Sequence, residues 1–276
     1  MDERFYEEYA RIQDAHWWFV GRREIIRTVL ETNLQDPASE GRRILDVGCG
    51  TGTNLGLLRS FGKVEGVDAE PVAVDFCHRQ GEHAVRHVPG SRLPFSDASF
   101  DLVTLLDVIE HAADDQALLG EARRVLVPGG TVLVTVPAYS WMWGAQDRIA
   151  HHYRRYTRPG LVESLVGAGL DLLRSSYFNT LLFPPIAAIR LARRLRPAPE
   201  PPGSDFELNQ PGTLNWLLAR VFALEASLLR HVNLPFGVSL FALAGRSARQ
   251  GRSGSSHTPF EIDHVPQRQS SPSPAS

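Results

Sequence analysis

The run Arg43-Ile44-Leu45-Asp46-Val47-Gly48-Cys49-Gly50-Thr51-Gly52 constrains this chain more than any other stretch. Ile44 to Val47 reads as a short buried strand that enters a glycine-rich turn, with a helix from near Thr53. Gly48, Gly50 and Gly52 lack a Cβ, so the backbone can bend sharply and leave room for a ligand against it. The following helix aims unpaired N–H groups at that ligand. A dinucleotide site wants G-x-G-x-x-G, and here its third glycine would fall on Thr53. That spacing disfavours an NAD-dependent oxidoreductase. Asp46, just ahead of the turn, would repel phosphate and accept from an ammonium group. The pattern suits a cationic, phosphate-free nucleoside. Asp68, 22 positions after Asp46, closes a second strand, Val64-Glu65-Gly66-Val67-Asp68, where a carboxylate can accept both ribose hydroxyls.

Three further stretches follow in order: Leu93-Pro94-Phe95 with Ser96 to Asp101, then Asp107-Val108-Ile109-Glu110-His111, then Arg124 to Gly130. With the glycine turn and Asp68 they resemble the class I S-adenosylmethionine-dependent methyltransferases over roughly residues 40–175. The resemblance implies an α/β fold, a mostly parallel doubly wound sheet of seven strands in the order 3-2-1-4-5-7-6, the last strand antiparallel. It implies S-adenosylmethionine as cofactor and S-adenosylhomocysteine as product. Its cofactor residues would be Asp46, Gly48, Cys49, Gly50, Gly52, Asp68, Ala69, Ser91, Leu93 and Asp107. Many relatives carry an aspartate for the adenine amine where this chain has Pro89, so that contact falls to backbone or Ser91.

Strands are expected near 43–48, 63–68, 83–88, 100–106 and 131–136, with helices near 53–61, 70–80 and 113–126. Such alternation predicts parallel strands with right-handed crossovers, and ligands beyond their carboxyl ends. A helix near 159–168 and a strand near 170–177 follow. The apolar, basic 181–196 segment, an amphipathic helix at 214–229 and a last strand at 236–244 complete the fold. The division read from this order is an N-terminal helical lid at 1–36, a methyltransferase domain at 37–245 containing a helical insertion at 181–231, and a disordered tail at 246–276 rich in Ser, Gly, Pro and Gln.

Ahead of the first strand, His16-Trp17-Trp18-Phe19 sits beside Arg22 and Arg23. One reading is a packed helix corner. The other places Trp17 over the cofactor and Arg22 near its methionine carboxylate. After the fifth strand, Tyr139, Trp141, Trp143, His151, His152 and Arg154 fall on one long connection, the kind of loop that carries function. Tyr139, Trp141 and Trp143 are candidate acceptor walls, Arg154 a candidate acceptor clamp, and His111, His151 and His152 candidate general bases. An acid-x-x-Glu-His group such as Asp107, Glu110 and His111 binds a divalent cation in some ubiquinone-biosynthesis O-methyltransferases, but no metal is assigned here.

A formal charge of −2 argues against a nucleic-acid substrate, whose backbone needs a basic face. Two cysteines are too few for a disulfide scaffold or a zinc site. With no signal-like start and no run of the ~18 apolar residues a membrane span needs, a cytoplasmic protein is expected. The reaction read from the residues is methylation of a small molecule, at oxygen before nitrogen or carbon. Two alternatives stand beside it: a lipid- or quinone-like acceptor met at a membrane surface, and a cofactor-binding protein without catalysis. The 181–196 and 214–229 segments read as a cap on the acceptor pocket, or as a face resting on anionic lipid.

Overall fold

The structure is a computed structural model, and it describes residues 3–34, 41–195 and 212–248. The Pro37–Gly41 linker, the Pro197–Pro211 segment and the 246–276 tail lie wholly or mostly outside the described residues; Arg246, expected as the start of that tail, instead pairs with Gly129 and Gly130.

Seven strands form one sheet: β1 (Arg43–Val47), β2 (Lys63–Asp68), β3 (Val85–His87), β4 (Phe100–Leu106), β5 (Leu126–Pro137), β6 (Asp171–Phe178) and β7 (Ser239–Gly245). Their order is β3-β2-β1-β4-β5-β7-β6. β1, β2, β3, β4 and β5 run parallel, and β7 pairs antiparallel with both β5 and β6. This is the class I methyltransferase topology. Its central strands are apolar on both faces because helices cover both, so Leu102, Val103, Leu105, Val132, Leu133 and Val134 are all buried.

The helices are α1 (Glu3–Ile12), α2 (Trp17–Asn33), α3 (Leu55–Leu58), α4 (Pro71–Arg79), α5 (Asp115–Val125), α6 (Ala145–Ile149), α7 (Arg158–Gly167), α8 (Phe183–Leu195) and α9 (Thr213–Leu229). α2 and α9 share one face of the sheet. There Ile25, Ile26, Val29 and Leu30 meet Phe222, Ala226 and Leu229 above Leu133, Phe178 and Phe241. Gly21 permits the close approach, since a Cβ there would stand 2.3 Å from the Phe222 ring. Helices α5 and α7 cover the opposite face, over Leu105, Val132 and Val134.

Two elements depart from the sequence expectation. The helix expected over 53–61 is one turn, Leu55–Leu58, because Thr51 to Asn54 continue the glycine turn. The strand expected near 131–136 starts earlier, and β5 takes in Leu126 to Gly130 as well. β5 begins at Leu126 because Leu126 pairs with Phe100 of β4, and the chain beyond β7 pairs with its next residues: Gly129 N donates to Arg246 O at 2.8 Å, and Arg246 N to Gly130 O at 2.9 Å.

Candidate active site

The carboxyl ends of β1, β2, β4 and β5 meet around the glycine turn. Gly48 has φ +69°, and a Cβ there would lie 2.6 Å from Val108 Cγ2, so both conformation and space demand glycine. Its N–H and that of Cys49 donate to Val67 O at 2.8 and 3.1 Å, locking the turn to β2. Gly50 (φ +56°) has nothing within 4 Å of a built Cβ, so its outer side is open. Cys49 and Cys77 are buried behind the turn, with Cys77 Sγ donating to Gly50 O at 3.2 Å. Cys49 therefore offers a ligand its backbone, not its thiol.

Asp68 reaches back to this turn. One oxygen accepts from Gly50 N at 2.7 Å, the other from Glu70 N at 2.9 Å. Burial pushes its carboxyl up although those hydrogen bonds pull it down. Asp46 is buried at the end of β1, and its Oδ1 accepts from Thr104 Oγ1 at 2.6 Å. Its Oδ2 has no hydrogen-bond partner among the described residues, and burial pushes the carboxyl up to about 7. An unpaired carboxylate of this kind is costly until a cation or donor arrives. A glycine turn with one open side, a strand-two carboxylate and an unpaired buried acid together fit an aminoacyl sulfonium nucleoside. They would hold it through Asp68 at the ribose, the turn's backbone beside it, and Asp46 toward the ammonium end.

Two elements cover the turn. From α1, Tyr6 is buried, and burial, then the charges of Asp68 and Glu70, raise its hydroxyl pKa. Thr51 Oγ1 donates to Gln13 Oε1 just past α1, and Arg23 on α2 donates to Gln13 O at 2.7 Å and to Thr53 Oγ1 at 3.2 Å. Arg22, buried, forms a 2.7 Å ion pair with Asp107, and also donates to Thr135 Oγ1 at 3.2 Å. Its Nε has no partner among the described residues, leaving one donor for a carboxylate. Trp17, expected over the cofactor, packs its ring 5.9 Å from Phe222 in the α2–α9 layer. The indole over Arg22, at 5.1 Å, is Trp18.

Other expected cofactor positions are held by the chain itself. Leu93 is buried, its N–H donating to Glu121 and its carbonyl accepting from Arg124, both at 2.9 Å. Arg124 also binds Phe95 O and Asp97, so Asp97 is a turn residue. Ser91 is half-buried at the start of this loop. The Ala69 carbonyl lies 3.0 Å from His87 Nε2.

Past β4, Asp107 takes φ +58° and the chain enters a 3-10 turn, Ile109–His111. Glu110 is fully buried, neither oxygen has a partner among the described residues, and burial followed by Asp107 pushes its carboxyl well up. His111 and His152 meet edge to face, ring centres 4.5 Å apart. Burial, then His152, lowers His111 to about 3, so it is neutral at physiological pH. Asp147 anchors the second ring: Oδ1 lies 2.9 Å from His152 Nδ1 and accepts from Arg155 Nε at 2.7 Å, while Oδ2 accepts from Gly144 N at 2.7 Å. Burial alone would raise Asp147, but the bonds from His152 and Arg155 outweigh it and hold it far below the usual carboxylate range. One oxygen of Glu110 and one ring nitrogen of each histidine lie within 4.8 Å of one another, a set that could also surround a metal ion. His151 is exposed and stands outside this cluster.

Tyr139 stacks between Tyr177 (5.2 Å, 14°) and Trp141 (5.9 Å, 25°), with Phe183 at 5.8 Å. Tyr139 and Trp141 thus share a wall, while Trp143 is half-buried at the entry to α6. Arg154 is engaged by the Ala112 and Ala113 carbonyls and by Asp115, pinning the loop to the start of α5. Arg155, which the sequence offers beside Arg154 as a second acceptor clamp, is spent on Asp147. Sequence reasoning missed Tyr6, Gln13, Thr51 and Asp147, and of these only Asp147 carried a signal, as a charged residue inside an aromatic connection.

Residues 45–134 match the family described as a methyltransferase domain. A Mycolicibacterium smegmatis protein named a probable S-adenosylmethionine-dependent methyltransferase is 30% identical over 58% of this chain and 62% of its own. The demethylmenaquinone methyltransferase of Tropheryma whipplei is 32% identical over 53% of this chain and 56% of its own. Among solved structures, Haemonchus contortus phosphoethanolamine N-methyltransferase 2 in complex with S-adenosyl-L-methionine aligns with a TM-score of 0.51. That alignment is 19% identical and covers 81% of this chain and 52% of the other, a likeness of fold. Residues 45–134 thus carry a methyltransferase domain, on a sheet of the class I methyltransferase topology, with S-adenosylmethionine as cofactor. It spans less than two thirds of the length of the two curated relatives.

Proposed function

We propose that the chain transfers the methyl group of S-adenosylmethionine to an oxygen of a small aromatic acceptor of the phenol or quinol type. The observation that carries this reading is the Asp147–His152–His111 chain, whose Asp147 and His152 share the post-β5 connection with the aromatic wall of Tyr139 and Trp141. The Tropheryma relative's name, with its quinone-type substrate, supports an apolar aromatic acceptor.

The cofactor supplies an electrophilic methyl on its sulfonium; the chain's own residues do the rest. Asp46 and the glycine turn hold the aminoacyl and nucleoside ends so that the methyl faces the acceptor, the positioning on which displacement depends. Tyr139 and Trp141 stack the acceptor ring. Asp147 fixes the Nδ1–H tautomer of His152, leaving Nε2 to take the hydroxyl proton as the oxygen–methyl bond forms and the carbon–sulfur bond breaks. The resulting imidazolium faces the Asp147 carboxylate, which stabilises it. His111, neutral, fixes the His152 ring edge on.

Methyl transfer from labelled S-adenosylmethionine to a panel of catechols and quinols tests this. His152→Ala should lower kcat by roughly 10²–10⁴-fold, the usual worth of a positioned base, while cofactor affinity holds. Full turnover in His152→Ala would sink the base assignment, and methyl appearing on carbon or nitrogen would sink the oxygen acceptor.

A further inference from the structure

Helix α8 turns one face toward the acceptor side, and three of its residues meet different parts of the chain there. The Phe183 ring lies 5.8 Å from that of Tyr139 and 6.1 Å from that of Trp141. Ile186, about one turn on, packs against the apolar layer that holds Phe178, Leu182 and Phe222. Arg190, about one turn further, lays its guanidinium on Gly144: a Cβ there would overlap Arg190 Nη1 and stand 2.6 Å from Cζ. At 100° per residue the three positions fall within about 60° of arc. Ile189, Leu191 and Leu195 lie outside that arc and are exposed. The entry to α8 is fixed as well, because Glu225 of α9 accepts from Leu181 N at 2.7 Å.

What Arg190 covers is the outer end of the series that anchors His152. Gly144 stands just ahead of α6 with φ −150° and ψ −165°, extended backbone that any residue adopts. Glycine here therefore answers to space and not to backbone angle, since a side chain would take the place of the guanidinium. The Gly144 N–H donates to Asp147 Oδ2 at 2.7 Å, and Asp147 Oδ1 lies 2.9 Å from His152 Nδ1. Gly144 and Asp147 are both buried. A guanidinium over Gly144 keeps water away from this hydrogen bond, and such a bond is electrostatically stronger where water does not compete for it.

We propose that Arg190 is a positioning residue for methyl transfer. Seated on Gly144, it closes α8 over the post-β5 connection and holds the Gly144–Asp147–His152 series in line with the aromatic wall that Phe183 joins. Arg190 touches neither reactant; it acts through Gly144 on the carboxylate that orients the base. The proposal rests on the reading of His152 as the general base.

The test compares the full chain as wild type, Gly144→Ala, Arg190→Ala and the double variant. A methyl at position 144 meets only the far end of a flexible side chain, so it should evict the guanidinium and leave the fold intact. Two readouts need no acceptor: hydrogen exchange resolved by peptide, and the ring nitrogens of His152 in nitrogen-15 spectra of histidine-labelled protein, assigned with His152→Gln. Wild type should show a single Nδ1–H tautomer at His152. Gly144→Ala should quicken exchange roughly tenfold or more across 140–150 and α8, the sign of local opening, and should average the two tautomers. Exchange at 48–52 and S-adenosylhomocysteine affinity should hold. Arg190→Ala should do the same and the double variant no more, because both substitutions break one contact. Three results would overturn the proposal: exchange and tautomer unchanged in Gly144→Ala, single effects that add in the double variant, or loss of nucleoside affinity in either single variant. A wild-type His152 protonated at Nε2 would instead overturn the base assignment beneath it, while the exchange data still decide whether Arg190 and Gly144 act as one contact.

Discussion

Gln146 on α6 donates a hydrogen bond to the Tyr9 hydroxyl on α1 at 3.0 Å. That bond joins the helix covering the glycine turn to the connection that carries His152 and the aromatic wall, so cofactor cover and acceptor side are fastened to each other. A cofactor entering beneath α1 must part this contact or pass beside it.

Tyr9→Phe removes the hydroxyl and keeps the ring against Phe19, 5.2 Å away. A single neutral hydrogen bond is worth about 1 kcal/mol net. Release of S-adenosylhomocysteine should therefore quicken roughly fivefold, with thermal stability little changed. Stopped-flow displacement reads the rate, and an unchanged rate would show that α1 does not gate the site.

Asp46 carries a pH signature. Its folded carboxyl is raised to about 7 by burial, so the cofactor-free fold is favoured when it is protonated. Its contribution is undiminished below the unfolded carboxylate value near 4, falls as pH rises through about 7, and stays a cost above that. Asp46→Asn should then match wild type in stability at pH 4 and exceed it by about 1–3 kcal/mol at pH 8. The same substitution should weaken S-adenosylmethionine binding. Denaturant melts at the two pH values check the sign; a variant less stable at pH 8 would contradict it.

The glycines of the turn should separate stability from binding. Gly48→Ala meets Val108 at 2.6 Å in a left-handed conformation, which should cost about 2–4 kcal/mol. Gly50→Ala is also left-handed but enters open space, so its stability cost should be about 1 kcal/mol. Its methyl would occupy the ligand's side of the turn, and cofactor affinity should fall at least tenfold. Thermal melts and calorimetry on both variants measure the contrast.

The Glu110, His111 and His152 cluster has two possible uses, and chelation tells them apart. A histidine base held by Asp147 needs no ion, so dialysis against EDTA should leave turnover unchanged. Loss of turnover restored by a divalent cation would assign the cluster to a metal.

What was legible in the sequence was what lies close along it. The turn from Asp46 to Gly52 and the acid at Asp68 could be read because they lie on adjacent backbone and two neighbouring strand ends. The sheet order came with the family resemblance, including the antiparallel place of β7. Pairings set by tertiary path were not legible. His111 and His152 meet only because Asp147 and Arg155 fold the post-β5 connection back on itself. The choice between Trp17 and Trp18 depended on the rotation of α2 against α9, fixed by Gly21 beneath Phe222. The short α3 was hidden because Thr53 and Asn54, read as the start of the helix, continue the turn. Arg154 had the chemistry of an anion clamp, but the Ala112 and Ala113 carbonyls occupy it.

The most direct test of the central claim is calorimetric titration of the full chain with S-adenosylmethionine and S-adenosylhomocysteine, repeated on Asp68→Asn. Asparagine keeps an oxygen for Gly50 N and loses the charge proposed to accept the ribose hydroxyls. The account predicts one site per chain in wild type and an affinity lower by at least tenfold in the variant. Wild type that binds neither nucleoside, or a variant that binds both as tightly as wild type, would contradict it.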